Sequence, residues 1–249
     1  MPKPMQLTPS CVVFEGIDGS GKTTIARTFT TELTRMGKSV FDLPTWSREH
    51  GRLPLLAECE GADVIFAAEP TQVWVGAAIR GELVRTNTGY TELTVAEAFS
   101  LDRLILYSRL IIPLRARGKI ILQDRGVPTS LVYQSLRGVN VQTLTRLPGN
   151  ALELAHPPDL MLIAHSRTET ALNRLRGRSE KKDNAVFEER AFLERANEQY
   201  LSPAFRAFWR RRGVTLHYMD TDLPLESMHE HTAELARTLF SSSPLTVRV

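Results

Sequence analysis

The stretch "VFEGIDGSGKTTIARTF", Val13 to Phe29, decides the fold. An apolar run enters a glycine-rich turn, and a Lys-Thr pair opens an amphipathic segment. Gly16, Gly21, Lys22 and Thr23 fit G-x-x-x-x-G-K-[ST] in the strand, loop, helix context that this motif requires. Glycines let successive backbone N–H groups turn inward around phosphate oxygens. Lys22 then reaches the β and γ phosphates, the Thr23 hydroxyl ligates Mg2+, and the helix N-terminus adds its positive dipole end. The expected cradle for ATP is Gly16, Ile17, Asp18, Gly19, Ser20, Gly21, Lys22, Thr23 and Thr24.

Outward from this loop, short apolar runs alternate with longer amphipathic segments, the rhythm of a mostly parallel sheet covered by helices on both faces. The runs at residues 11–15, 119–123, 159–164 and 214–219 read as strands, together with either 38–42 or 63–67, giving five. Helical periodicity covers 22–36, 73–84, 92–117, 140–154, 167–175, 185–209 and 225–239, with a kink expected at Pro113 and a break at Pro203. Residues 44–62 carry two prolines, a tryptophan and charges without a clean period. A connection of that length is either a functional flap or an ordered insertion.

The 249 residues, 42% hydrophobic, suit one α/β domain over residues 11–240 between disordered tails at 1–10 and 241–249. A net charge of +3 is not the polybasic surface of a nucleic-acid binder. The excess is local, because residues 167–212 hold twelve basic against seven acidic side chains. Two cysteines give neither a disulfide framework nor a zinc pattern, and the proline-rich start is neither a signal peptide nor a membrane span. A cytoplasmic chain with no membrane or nucleic-acid partner is expected.

The loop alone does not separate kinases from GTPases, motors or transporters. The guanine reader N-K-x-D is absent, and in place of the hydrophobic-D-E of a water-activating ATPase stands "IILQDRG". Asp124 at a strand end suits the Mg2+ water shell, and Arg125 suits the charge of an incoming phosphate.

"FEGIDGSGKTT", "AAEPTQ", "AEAFSLDR", "QDRGVPTSLVYQ" and "RLRGRSEKKD", in this order, resemble bacterial thymidylate kinase, which converts dTMP to dTDP with Mg·ATP. The resemblance spans about residues 12–239, and its most specific block is Asp124 to Gln134. It implies the three-layer α/β sandwich of P-loop NTPases, a five-stranded parallel sheet with helices on both faces, a small mobile lid near 174–185, and a homodimer formed through the helices near 92–117 and 140–154. By the same resemblance, Phe99 stacks on thymine, Arg103 addresses the base edge, Gln134 hydrogen-bonds the pyrimidine, Tyr133 crowds the sugar 2′ carbon and Ser130 lines the pocket. Arg80 and Arg125 hold the acceptor phosphate, Glu69 corresponds to the Glu of R-E-P-G-G, and Asp18 faces the acceptor sugar or the transferring group. The lid supplies the catalytic cation, Arg178 first and Arg174 next.

Three departures mark this chain. The arginine that precedes Glu-Pro in the family is Ala68, with Thr71 and Gln72 in place of the two glycines; residues 44–62 are inserted; and Gly126 stands where an aromatic often follows Asp-Arg. They leave two alternatives to dTMP as acceptor: another (deoxy)nucleoside monophosphate, or nucleotide binding without turnover, against which intact Lys22, Thr23, Asp124 and Arg125 speak.

Overall fold

The computed structural model describes residues 9–85, 88–177 and 190–241. The expected tails and residues 178–185 of the expected lid, Arg178 included, fall mostly or wholly outside them. In order, the elements are β1 (Cys11–Glu15), α1 (Lys22–Arg35), β2 (Val40–Asp42), α2 (Leu43–His50), α3 (Leu56–Cys59), β3 (Val64–Ala68), α4 (Trp74–Ala78), α5 (Glu92–Leu106) and α6 (Ile112–Ala116). There follow β4 (Ile120–Asp124), α7 (Val127–Leu136), α8 (Val141–Arg146), α9 (Pro148–Ala155), β5 (Leu160–His165), α10 (Thr168–Arg176), α11 (Arg190–Leu201), α12 (Pro203–Arg210), β6 (Thr215–Asp220) and α13 (Leu225–Phe240).

All pairings in the sheet are parallel, in the order β2-β3-β4-β1-β5-β6. It has six strands where five were expected. The runs at 38–42 and 63–67 are not alternatives: both are strands, paired Val40 to Val64 and Asp42 to Phe66. Residues 44–62 are the crossover between them, ordered as α2 and α3. Asp42 caps α2 by accepting from the Thr45 N–H at 2.9 Å, with Pro44 in the first turn.

Successive residues of β1 face opposite layers, and both layers are apolar. Val12 and Phe14 pack with Ile25, Phe29 and Leu33 of α1 and Met228 and Phe240 of α13. Cys11 and Val13 face Leu106, Tyr107 and Leu114 on the other side. Double coverage explains the continuous apolar runs. At about 25 cal/mol per Å2 of apolar area, each such side chain contributes roughly 1.5–3 kcal/mol.

The helix predicted over 92–117 is one rod with a π turn at Tyr107–Ile111 leading into α6, whose second residue is Pro113. The widened turn accommodates the proline, which has no N–H to donate. Pro203 does end α11 and start α12. The periodic pattern assigned no helix to Val127–Leu136, yet α7 runs there. Val127, Pro128, Ser130, Leu131, Val132, Tyr133 and Gln134 are all buried, so no polar stripe marks a solvent face.

The chain leaves β1 toward the β2 edge and leaves β4 toward the β6 edge. Loops therefore diverge at the C-terminal ends of β1 and β4, where parallel sheets open a crevice.

Candidate active site

Into that crevice β1 delivers the glycine loop. Gly16, Gly19 and Gly21 have φ of 131°, 78° and 95°. A Cβ on Gly16 would lie 2.4 Å from the Ala164 carbonyl oxygen, and one on Gly19 would lie 2.3 Å from that of Ala171. Glycine is required on both counts. Gly21 is the N-cap of α1 and no side chain caps the helix, which leaves its first N–H groups for an anion.

Lys22 is buried and its Nζ donates to the Ile17 carbonyl at 2.5 Å, so the ammonium is folded over the loop. Burial, and then the Arg125 charge, push it down to about 8, against Asp18 and Asp124. Thr23 Oγ1 donates to Asp124 Oδ2 at 3.0 Å, while Asp124 Oδ1 is buried without a hydrogen-bond partner among the described residues. A hydroxyl beside an orphan carboxylate oxygen fits a hard cation. Among the described residues no group of three or more His, Cys, Asp or Glu gathers as an all-protein cage, so phosphate oxygens and water would complete the shell, as Mg2+ prefers.

Arg125 follows with φ 68° and turns its guanidinium to Asp18 Oδ1 and to Thr129 Oγ1, the latter at 3.2 Å. Tyr133 completes this group: its hydroxyl accepts from the Asp18 N–H at 3.1 Å and donates to Asp18 Oδ2 at 3.3 Å. Asp18, Arg125 and Tyr133, predicted separately, are thus brought into direct contact. What the sequence reading missed is Glu15, one residue before the loop. Its carboxylate accepts from the N–H groups of Gly126 and Thr129 and from the hydroxyls of Thr129 and Tyr200, the last at 2.8 Å, and so ties loop, α7 and α11 together. An acid closing a fully apolar strand was the available signal.

The predicted base pocket is built differently from the expectation at Arg103. Rather than offering a free fork, Arg103 is 1% exposed; its nitrogens reach Glu69 Oε2 at 2.5 Å, Glu153 Oε2 at 2.8 Å, Ser130 Oγ at 3.2 Å and Asn150 Oδ1. Two carboxylates share one guanidinium. Burial drives both up, Glu69 well above the ordinary carboxylate value and Glu153 to about 7. Glu153 also accepts from the Val127 N–H at 2.8 Å and fills the space beside Gly126, where a Cβ would meet its Oε1 at 2.4 Å. A carboxylate therefore occupies the room beside Gly126.

Gln134 is buried with its Oε1 unpartnered among the described residues, and Phe99 is half-buried and belongs to none of the three apolar clusters. Both are available to a planar ligand. Thr71, in place of a glycine, is clamped by Asp102, which accepts from its N–H and its hydroxyl at 2.7 Å each. Arg80 leaves α4 in a π turn and donates to the carbonyls of Pro70 and Thr71, at the loop that contains the cis Glu69–Pro70 bond. On the donor side, Arg174 Nη2 donates to the Thr221 carbonyl at 2.6 Å, and its Nη1 lies 3.8 Å from where a Gly21 Cβ would stand. A separate groove of about 580 Å3 runs along α1 from Thr24 to Arg35 against α13 and adjoins this site at one end only.

The family model described as thymidylate kinase matches residues 52–230, more than half of the chain; the phosphate loop precedes that span. The chain is 29% identical to the thymidylate kinase of Synechococcus sp. RCC307 over 229 residues, 91% of this chain and 94% of the relative. It is 31% identical to that of Pelotomaculum thermopropionicum over 207 residues, 82% and 83% of the two chains. With that of Brachyspira hyodysenteriae it shares 28% over 222 residues, 87% and 88%.

Proposed function

The chain belongs to the thymidylate kinase family, and from that premise we propose how its own residues phosphorylate dTMP to dTDP with ATP. The observation that carries the reading is the pairing of the Gly16–Thr24 cradle with Arg125, two elements that face each other across the C-terminal ends of β1 and β4. The donor's β and γ phosphates lie on the free N–H groups of α1 and on Lys22, which swings from the Ile17 carbonyl to phosphate oxygens. Thr23 and Asp124 would hold Mg2+, which would supply neutralisation of the phosphate charge.

dTMP enters with its base over Phe99 and against the unpartnered amide oxygen of Gln134, which accepts the ring N3–H. Arg103 shapes this wall from behind by holding Glu69, Ser130 and Asn150 in place. Tyr133, fixed on Asp18, stands at the sugar. Arg125 and Arg80 align the acceptor phosphate. One of its oxygens, anionic near pH 7 and in need of no general base, attacks the γ phosphorus; the bond from phosphorus to the β–γ bridging oxygen breaks and ADP leaves with the electron pair. Arg174 sits where it can follow the donor phosphates, and we assign the remaining lid cation to Arg178. We further place the enzyme in the cytoplasm, which two buried free thiols, Cys11 and Cys59, support. No described helix is long and apolar enough to cross a membrane. We also take it to be a homodimer, a reading supported by the exposed Leu93 and Leu101 on α5 and Val141 on α8.

The test is 31P NMR of the chain with Mg·ATP and dTMP. dTDP and ADP are expected in equal amounts, and Lys22→Ala is expected to lower the rate by at least about 100-fold with the fold intact. ATP hydrolysis without dTDP, or unchanged turnover in Lys22→Ala, would sink the assignment.

A further inference from the structure

Arg125 has a backbone φ of 68°, a left-handed conformation shared by only one other non-glycine residue among the described ones, Trp74. Such a conformation persists where the surroundings fix it from several sides. Its N–H donates to the Phe14 carbonyl at 3.0 Å, its carbonyl accepts from Gln123 Nε2 at 2.9 Å, and the next N–H, that of Gly126, donates to Glu15 Oε1 at 2.9 Å. Phe14 and Glu15 are the last two residues of β1, so the strand that delivers the phosphate loop also holds the backbone of this arginine.

The side chain depends on the same carboxylate. Arg125 Nη2 meets Asp18 Oδ1 on the loop, and Nη1 donates to Thr129 Oγ1 at 3.2 Å. A planar guanidinium held at one nitrogen can swing, whereas two contacts fix its plane. Thr129 Oγ1 in turn donates to Glu15 Oε2 at 2.7 Å. A hydroxyl has one hydrogen, a guanidinium only donates and an ionised carboxylate only accepts, so the Thr129 hydrogen points to Glu15 and its lone pair to Arg125. Glu15 is fully buried, and the N–H groups of Gly126 and Thr129 with the hydroxyls of Thr129 and Tyr200 fill the lone-pair sites of an ionised carboxylate. Burial pushes this carboxyl up, while the Arg125 charge and then the two hydroxyls pull it back.

We propose that Glu15, acting through the Thr129 hydroxyl, is the positioning residue that aims the Arg125 guanidinium at the acceptor phosphate. The inference rests on the reading of the site as a dTMP kinase in which Arg125 binds that phosphate. Because Glu15 directly precedes Gly16, one carboxylate keeps the acceptor cation in register with the donor cradle. Neither Glu15 nor Thr129 has to touch a nucleotide to do so.

Thymidine lacks only the phosphate of dTMP, so the pair isolates what Arg125 contributes. The experiment is calorimetric titration of the full chain with each, for wild type, Thr129→Val, Thr129→Ser and Glu15→Gln, with thermal unfolding of every variant. Thr129→Val removes the hydroxyl. Glu15→Gln keeps an oxygen for the backbone N–H groups but sets an amide N–H against Thr129, which turns the hydroxyl hydrogen toward Arg125. Both are expected to weaken dTMP about 10-fold and leave thymidine unchanged, and Thr129→Ser is expected to bind dTMP as the wild type does. In an Arg125→Ala background, Thr129→Val is expected to cause no further loss. Wild-type dTMP affinity in Thr129→Val or in folded Glu15→Gln would overturn the proposal, as would an equal loss for thymidine or a further loss on top of Arg125→Ala. The Thr129 variants decide the matter even where Glu15→Gln does not fold. A wild-type chain that bound no dTMP would overturn the functional reading and this inference with it, whereas dTMP binding left unchanged by Arg125→Ala would overturn this inference alone.

Discussion

At the scale of single residues, the site is a set of charges whose states depend on burial. Lys22, pushed down to about 8, loses its proton above that pH in the free enzyme, whereas phosphate in the cradle stabilises the charged form. ATP affinity is therefore expected to fall as pH rises past about 8, with proton uptake on binding that calorimetry in buffers of different ionisation enthalpy detects; a flat affinity from pH 7 to 9 would contradict it. Glu153 has a folded value of about 7 against an ordinary 4.5. The folded chain then holds an extra proton between those values, so this group's share of stability is present below about 4.5 and is lost as pH rises to about 7. Glu153→Gln, which keeps its hydrogen at every pH, should remove that slope in pH-dependent thermal unfolding; an unchanged slope would refute the assignment. Gln134→Ala should raise KM for dTMP by about tenfold, the loss of one buried hydrogen bond, and leave KM for ATP unchanged. The strand, loop and helix placement of Lys22 and Thr23 was readable because its motif is local. Glu15 and Glu153 were not, since their partners Tyr200 and Val127 lie 185 and 26 residues away and no local pattern announces such contacts.

At the scale of elements, legibility followed periodicity. β1 and α1 came out at the expected residues because a continuous apolar run entering a glycine loop is unambiguous, and a helix around Phe99 and Arg103 was expected and found. α7 was invisible because its burial is all round, although it carries Ser130, Tyr133 and Gln134. The block that named those residues by resemblance located them without revealing their helix. β2 and β3 were set against each other because a short edge strand and a central strand look alike in isolation. Contacts between helices are equally hidden. Gly149 lets α9 approach α5 so closely that a Cβ there would sit 1.8 Å from the Ser100 carbonyl oxygen, while the Gly149 N–H donates to Ser100 Oγ at 2.9 Å. Gly149→Ala should destabilise the chain by about 1–3 kcal/mol in urea unfolding and displace Phe99 and Arg103 together, raising KM for dTMP; wild-type stability would show that the helices can part freely.

At the scale of the whole molecule, the sheet gathers the donor cradle from β1, the acidic and cationic pair from β4 and the Glu69–Arg80 segment from β3 at one rim. The layers of α1 with α13 and of α5 with α6 hold that rim rigid from either side. The exposed leucines of α5 lie on the outside of this frame. Sedimentation should therefore give twice the chain mass, reverting to the single chain in Leu101→Glu; a single-chain species in the wild type at micromolar concentration would rule the dimer out. The departures at Thr71 and Gly126 are each met by a buried carboxylate, Asp102 clamping Thr71 and Glu153 filling the space beside Gly126. The selectivity of the acceptor site is the most direct test. With Mg·ATP saturating, kcat/KM measured for dTMP, dUMP, dCMP, AMP and GMP should be highest for dTMP and at least about 100-fold lower for both purines. An efficiency on dTMP no better than on AMP or GMP would contradict the account.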